Sequence, residues 1–206
     1  MAKTEFKPGT MLNPVPAVMV SCGSENPNII TIAWTGIINS DPPMTYVSVR
    51  KERYSHEILS KDREFVINLT TGDLAFATDW CGVKSGRDVD KWSEMKLTKE
   101  RSKVVSCPGI GESPVNIECK VTDIVELGSH DMFMAEIVSV SVDEKLIDSS
   151  GKLHLEKAGL ITYNHGHYYP VESRELGRFG FSVMKAKTKK RYAAKKRSRY
   201  RGNRRG

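Results

Sequence analysis

The sequence predicts a mainly β domain, a barrel of short strands with a few short helices, followed by a disordered basic tail. Three observations carry that reading. Runs rich in β-branched and aromatic residues recur along the chain, separated by polar turns that carry Gly or Pro. Segments with helical period are few and short. From Lys185 to Gly206 the composition changes: twelve of the chain's 32 Lys and Arg fall there with no acid, so the remaining 20 are outnumbered by the 25 Asp and Glu. The formal +7 is therefore a mildly acidic domain, 1–184, carrying a strongly basic segment, 185–206, which repels itself and offers little apolar surface to bury.

Taken in order, strands are expected at 17–22, 28–38, 44–49, 64–69, 115–127, 132–142 and 160–163. Asn39-Ser40-Asp41-Pro42-Pro43 separates the second and third, and Gly128-Ser129-His130-Asp131 makes the two long late runs a hairpin. Helices are expected after Ser55 (56–60), over 73–81 with Leu74, Ala75 and Thr78 inward, and over 88–92.

The stretch from Asn28 to Ser60 carries the most chemistry. In the strand after the Pro-Pro turn, Met44, Tyr46 and Ser48 share one face and Thr45, Val47 and Val49 the other, so Ser48 and Arg50 leave the strand end on the same side. Arg50, Lys51 and Arg53 then crowd a short loop, and Ser55 is placed to cap the helix that follows. The first N–H groups of such a helix carry positive partial charge, so guanidinium, hydroxyl and helix dipole converge on a phosphate-sized anion.

Pro14-x-Pro16, NIITIAWTG, SDPP and SVRKERYS resemble the flavin reductase-like, FMN-binding split-barrel family, and above all its flavoredoxin branch. EFVINL, WCGVKSGRDVDKW, SPVNIEC, GSHDMFMAEIVSVSVDE and ITYNHGHYYPVESRELGRFGFS follow in family order, so the resemblance spans about residues 10 to 182 and leaves out the tail. It implies a Greek-key type split β-barrel, a homodimer with flavin mononucleotide (FMN) near the subunit interface, and electron transfer through the flavin N5. NAD(P)H or a redox protein would be the donor, and a small molecule or another redox protein the acceptor. On this resemblance Thr31, Ala33, Trp34, Thr35 and Gly36 lie along the isoalloxazine, and Ser48, Arg50, Arg53 and Ser55 hold the phosphate. His130 is the matching hairpin histidine near the flavin, a substrate contact. No side chain is assigned as catalytic, because the flavin carries the chemistry. Each residue also has a plainer reading: Trp34 as a core or interface aromatic, Arg50 and Arg53 as a solvated face, Ser55 as an N-cap only, and His130 as a turn histidine packed on Asp131 or a neighbouring loop.

Other motifs exclude more than they assign. No Gly-x-Gly-x-x-Gly follows a strand, Gly82-Val83-Lys84-Ser85-Gly86 lacks P-loop spacing, and there is no Gly-x-Ser-x-Gly elbow. Cys22, Cys81, Cys107 and Cys119 have no Cys-x-x-Cys spacing and read as reduced thiols, with Cys81 a catalytic candidate if its turn folds over the flavin. His165 and His167 alternate as a chelating pair would, without an evident third ligand, so no metal is assigned. The stretch 85–91 reads as a loop that closes over the ring or serves the dimer, with Lys91 a surface charge. No apolar run reaches membrane-span length, and a cytoplasmic protein is expected. A second function class is a nucleic-acid-binding protein that takes RNA or another polyanion through residues 185–206, where Tyr192 and Tyr200 interleave with the cations.

Overall fold

The structure, a computed structural model, describes residues 1–186 and 188. The elements run β1 (Val15–Pro16), β2 (Val18–Cys22), β3 (Asn28–Ile32), β4 (Thr35–Ser40), β5 (Pro43–Arg50), α1 (Tyr54–Asp62), β6 (Glu64–Leu69), α2 (Ala75–Val83) and α3 (Lys91–Glu94). They continue with β7 (Lys99–Glu100), β8 (Gly109–Ile110), β9 (Val115–Glu126), β10 (His130–Val142), β11 (Ile161–Asn164) and β12 (His167–Pro170). Met1–Val171 forms one compact unit, and the chain from Glu172 belongs to a second. In that second unit the described residues include a single 3₁₀ turn, Phe181–Val183, entered through Gly180 at φ 80. The basic segment expected to be disordered lies outside the described residues apart from positions 185, 186 and 188.

Seven strands form one antiparallel sheet in the order β3-β2-β6-β9-β10-β5-β4. β3 and β4 are consecutive in the chain, joined only by Ala33 and Trp34, yet they lie at opposite ends of that order. A two-residue link spans the two edges of a seven-stranded sheet only if the sheet curls until those edges meet, which makes a barrel. The Ser48 N–H donates to the Trp34 carbonyl at 3.0 Å, which extends the β4–β5 pairing by one rung into the crossing. This corrects the expectation of one strand over 28–38: the alternation runs on without a break, but the chain crosses the seam at Ala33-Trp34 and changes edge.

The barrel interior is filled by Val18, Val20, Ile30, Ile32, Val47, Val49, Phe65, Ile67 and Phe133, with Leu59 of α1 plugging one end. β2 is buried at all five positions because its other face is covered too. There Met19, Ile29, Leu74, Cys81 and Trp92 pack α2 and α3 against the barrel wall. The β9–β10 hairpin turns through Gly128 (φ 86), a left-handed conformation that suits glycine.

Candidate functional site

A cavity of about 990 Å³ opens at the seam. Of the residues singled out from sequence, Thr31, Ala33, Trp34, Thr35, Ser48, Arg50, Arg53 and His130 all line it. They meet there because the Ala33-Trp34 crossing, the end of β5 and the tip of the β9–β10 hairpin converge, with Arg50 opposite His130 in the β5–β10 register. The far wall comes from Asp79, Gly82 and Val83 of α2 and from Tyr163, His165 and Tyr168 of the β11–β12 hairpin. Gly82 lets α2 approach β3, since a Cβ there would come within 3.1 Å of the Thr31 side chain.

The indole of Trp34, 41% exposed, lies against the His130 ring, centroids 4.5 Å apart and planes tilted by 38°. His130 therefore packs on a neighbouring loop, the Ala33-Trp34 link, rather than on Asp131. Desolvation, with the Arg50 charge second, holds its pKa below the ordinary histidine value, which favours the neutral ring. The Thr31 hydroxyl donates to the Thr78 carbonyl and that of Thr35 to the Tyr46 carbonyl, so both protons are already engaged within the protein. Gly36 lies outside the cavity lining, packed in the β4–β5 ladder where a Cβ would approach the Tyr46 ring at 3.3 Å.

A smaller pocket of about 290 Å³ adjoins the cavity, sharing Ile30, Arg53 and Gly82 with it. Ser55 belongs to this pocket. It is not the helix cap expected from sequence: Arg53 holds that position without a side-chain cap bond, and Ser55 sits in the first turn of α1, 1% exposed. Asn28 Nδ2 donates to Ser55 Oγ at 2.8 Å, and the Ser55 hydroxyl also meets the buried Cys22 side chain. Orphan N–H groups of the first turn of α1 border the same space.

Lys91, expected on the surface, is 4% exposed and lines this pocket. Asp90 caps α3, accepting from Trp92 N at 3.0 Å, and the Trp92 indole donates to the Pro27 carbonyl at 2.8 Å. Those two anchors turn the intervening lysine inward. Its ammonium donates to the carbonyls of Ile29 and Cys81, both at 2.7 Å, and no carboxylate pairs with it among the described residues. Burial pulls its pKa down to about 8. A buried ammonium with two of three protons spent on carbonyls, beside a hydroxyl and a helix N-terminus, makes a pocket complementary to a phosphate monoester. The sequence signal was the cap-and-aromatic frame Asp90-Lys91-Trp92, which fixes the facing of position 91.

The other candidates resolve differently. Cys81 lies in the last turn of α2 rather than in a turn over the cavity; it is fully buried, and burial pushes its thiol up to about 11, which removes it as a nucleophile near neutrality. His165 and His167 sit at the β11–β12 turn, His165 in a left-handed conformation (φ 47), and no cluster of metal-ligating side chains exists among the described residues. No helix among the described residues is long and apolar enough to cross a membrane.

Residues 10–172 match the flavin reductase like domain. The flavoredoxin of Desulfovibrio vulgaris (Miyazaki F) superposes with a TM-score of 0.82 at 28% identity, over 89% of this chain and 100% of that one. The flavoredoxin of Methanosarcina acetivorans superposes with a TM-score of 0.80 at 24% identity, over 89% and 100%. A protein of Archaeoglobus fulgidus is 29% identical over 164 residues, 80% of this chain and 92% of that protein. The chain belongs to the flavin reductase-like split-barrel family, whose shared chemistry is flavin-dependent electron transfer.

Proposed function

We propose that the protein is an FMN-dependent oxidoreductase or electron carrier of the flavoredoxin type. The observation that carries this is the pairing of a smaller cationic pocket with a larger aromatic cavity: Lys91, Ser55 and Arg53 on one side, Trp34 and His130 on the other. A cavity of 990 Å³ lies at the upper end of the usual small-molecule range of about 300–1,000 Å³. It leaves room for a second reactant beside a ring system.

In this reading Ser55, Arg53, Lys91 and the first N–H groups of α1 hold the phosphate. Ser48 and Arg50 border the ribityl chain, and Thr31, Ala33, Trp34 and Thr35 bound the isoalloxazine. Gly36 supports the strand pair from outside the cavity. Bound FMN supplies hydride and single-electron chemistry that no side chain here provides. The protein binds, orients and shields it: Trp34 and Tyr163 both offer aromatic surfaces to the cavity. Neutral His130, with Nδ1 already 2.9 Å from Ser129 Oγ, offers Nε2 to a substrate without adding charge. NAD(P)H is the proposed reductant and a small molecule or redox protein the acceptor. The exposed edge strand β4, with Ile37 75% exposed and Ile38 beside it, is the proposed homodimer contact.

The test is spectroscopic. Purified protein should be yellow and should bleach without oxygen on addition of NADH or NADPH; bleaching only with a reduced protein partner selects the carrier. Colourless protein that takes up no added FMN contradicts both.

A second reading adds RNA or other polyanion binding through residues 185–206. The segregation of twelve cations into residues 185–206, past the end of the family match at 172, favours it. Truncation after Met184 should abolish salt-sensitive RNA binding; retention would move that activity into the barrel.

A further inference from the structure

The pocket that holds Ser55 and Lys91 has two banks, one at the start of α1 and one in the loop after α2. The Arg87 side chain joins them. Arg87 Nη1 donates to the Glu52 carbonyl at 3.2 Å, Nη2 lies 3.3 Å from Glu57 Oε2, and the guanidinium sits 5.1 Å from the centre of the Tyr54 ring. Its own loop is folded tightly, with the Arg87 N–H donating to Ser85 Oγ at 3.2 Å and the Asp88 N–H to the Ser85 carbonyl at 3.1 Å. Gly86 is pressed onto Asn28, the residue that orients Ser55: a Cβ at position 86 would come within 2.1 Å of the Asn28 amide oxygen. Beyond Arg87 lies a polar surface cleft of about 430 Å³, which shares Asn28, Tyr54, Gly86 and Lys91 with the inner pocket. Gly86 and Arg87 thus stand where the inner pocket would otherwise run on into the outer cleft.

We propose that Arg87 is a strap across the anion pocket, closing it behind a terminal phosphate monoester, so that a mononucleotide flavin is retained and a dinucleotide flavin is disfavoured. The inference rests on the FMN reading above. A monoester ends where the strap begins. The pyrophosphate of FAD continues past that point, and the outer cleft can take its adenylate only if the guanidinium leaves Glu52, Glu57 and Tyr54. Arg87 touches no reacting atom in this account; it is a positioning residue that acts on retention and on the choice of flavin. Its contacts are individually modest, since the Arg87 and Glu57 side chains are 49% and 72% exposed, but they share one planar group and are lost together.

Full-length wild type and Arg87→Ala are loaded with FMN, and release is followed in stopped flow by recovery of flavin fluorescence on dilution; FMN and FAD dissociation constants come from the same signal. Arg87→Ala should release FMN about tenfold faster and raise FAD affinity relative to FMN, while Glu57→Gln, which removes one leg, should move release only about two- to threefold. Arg87→Lys should not rescue, because an ammonium lacks the planar fork. Unchanged release and an unchanged FAD to FMN ratio in Arg87→Ala, with wild type binding FMN normally, would overturn the strap alone. Faster release with an unchanged ratio would overturn the exclusion of FAD. A wild-type protein that takes up no FMN would overturn the reading beneath it and the strap with it.

Discussion

The two ends of the site are built on opposite principles. At the anion pocket two of the three side chains are buried: Ser55 is 1% and Lys91 4% exposed, each tied to backbone or amide partners before any ligand arrives, and only Arg53 is exposed. At the seam they are open, with Trp34 41% exposed and packed on His130, whose hairpin tip reaches solvent. A preorganised cationic end suits a group that is held, and an open aromatic end suits a partner that comes and goes. In the proposed function, affinity for the cofactor comes from the first region and turnover from the second.

The largest expected effect breaks the first region. Lys91→Met should weaken FMN by ~3 kcal/mol or more, the value of a charge-assisted bond formed inside a desolvated pocket. Because it removes a buried ammonium with no carboxylate partner but also strips the Ile29 and Cys81 carbonyls of their donor, the two effects on the urea midpoint of the apo-protein oppose each other. A folded variant that binds FMN as wild type does would mark Lys91 as structural only.

The pH dependence sharpens the same point. With the free-protein pKa of Lys91 depressed to about 8, the ammonium is present below that pH. A bound phosphate favours the charged form, so above about pH 8 binding must take up a proton. FMN affinity should then fall by up to about tenfold per pH unit, and the slope should vanish in Lys91→Met. For the protein without ligand the sign is opposite: the folded pKa lies below the unfolded value near 10.5, so folding stability rises as pH increases from about 8 toward 10.5. Chemical denaturation across that window checks it.

Between the phosphate and ribityl contacts the contrast between buried and exposed groups recurs. Ser55→Ala should weaken FMN by ~1–3 kcal/mol, since a buried bond is lost and Asn28 is left without its acceptor. Arg50→Ala should cost less, ~1 kcal/mol or below, because its side chain is 54% exposed and already faces Glu52 at 3.3 Å. Isothermal titration of both variants compares the two regions within one ligand. The smallest effect is expected from truncation after Met184, which removes a basic segment beyond the family match and should leave FMN affinity unchanged.

Much of this was legible in the sequence, and what was not has physical causes. The strand over 64–69 was read with its ends because charged and turn residues bracket an apolar run, and the face sharing of Ser48 and Arg50 followed from the two-residue period. The break at Ala33-Trp34 was not visible, since nothing local marks a seam that exists only because two distant sheet edges meet. Ser55 read as a cap because Ser before a helical run usually is one; tertiary packing moved the helix start forward and turned the hydroxyl inward. Lys91 read as a surface charge because an uncompensated buried lysine is rare, and only the Asp90 cap and Trp92 anchor on either side reveal its facing.

The central claim is that this pocket grips a phosphate ester on the end of a flavin. Titration of the flavin-free protein with FMN and with riboflavin at pH 7 tests it most directly, because the two ligands differ only in that group. Two or more charge-assisted bonds in the buried pocket predict FMN binding tighter on the order of a hundredfold or more, and equal affinities would contradict the account.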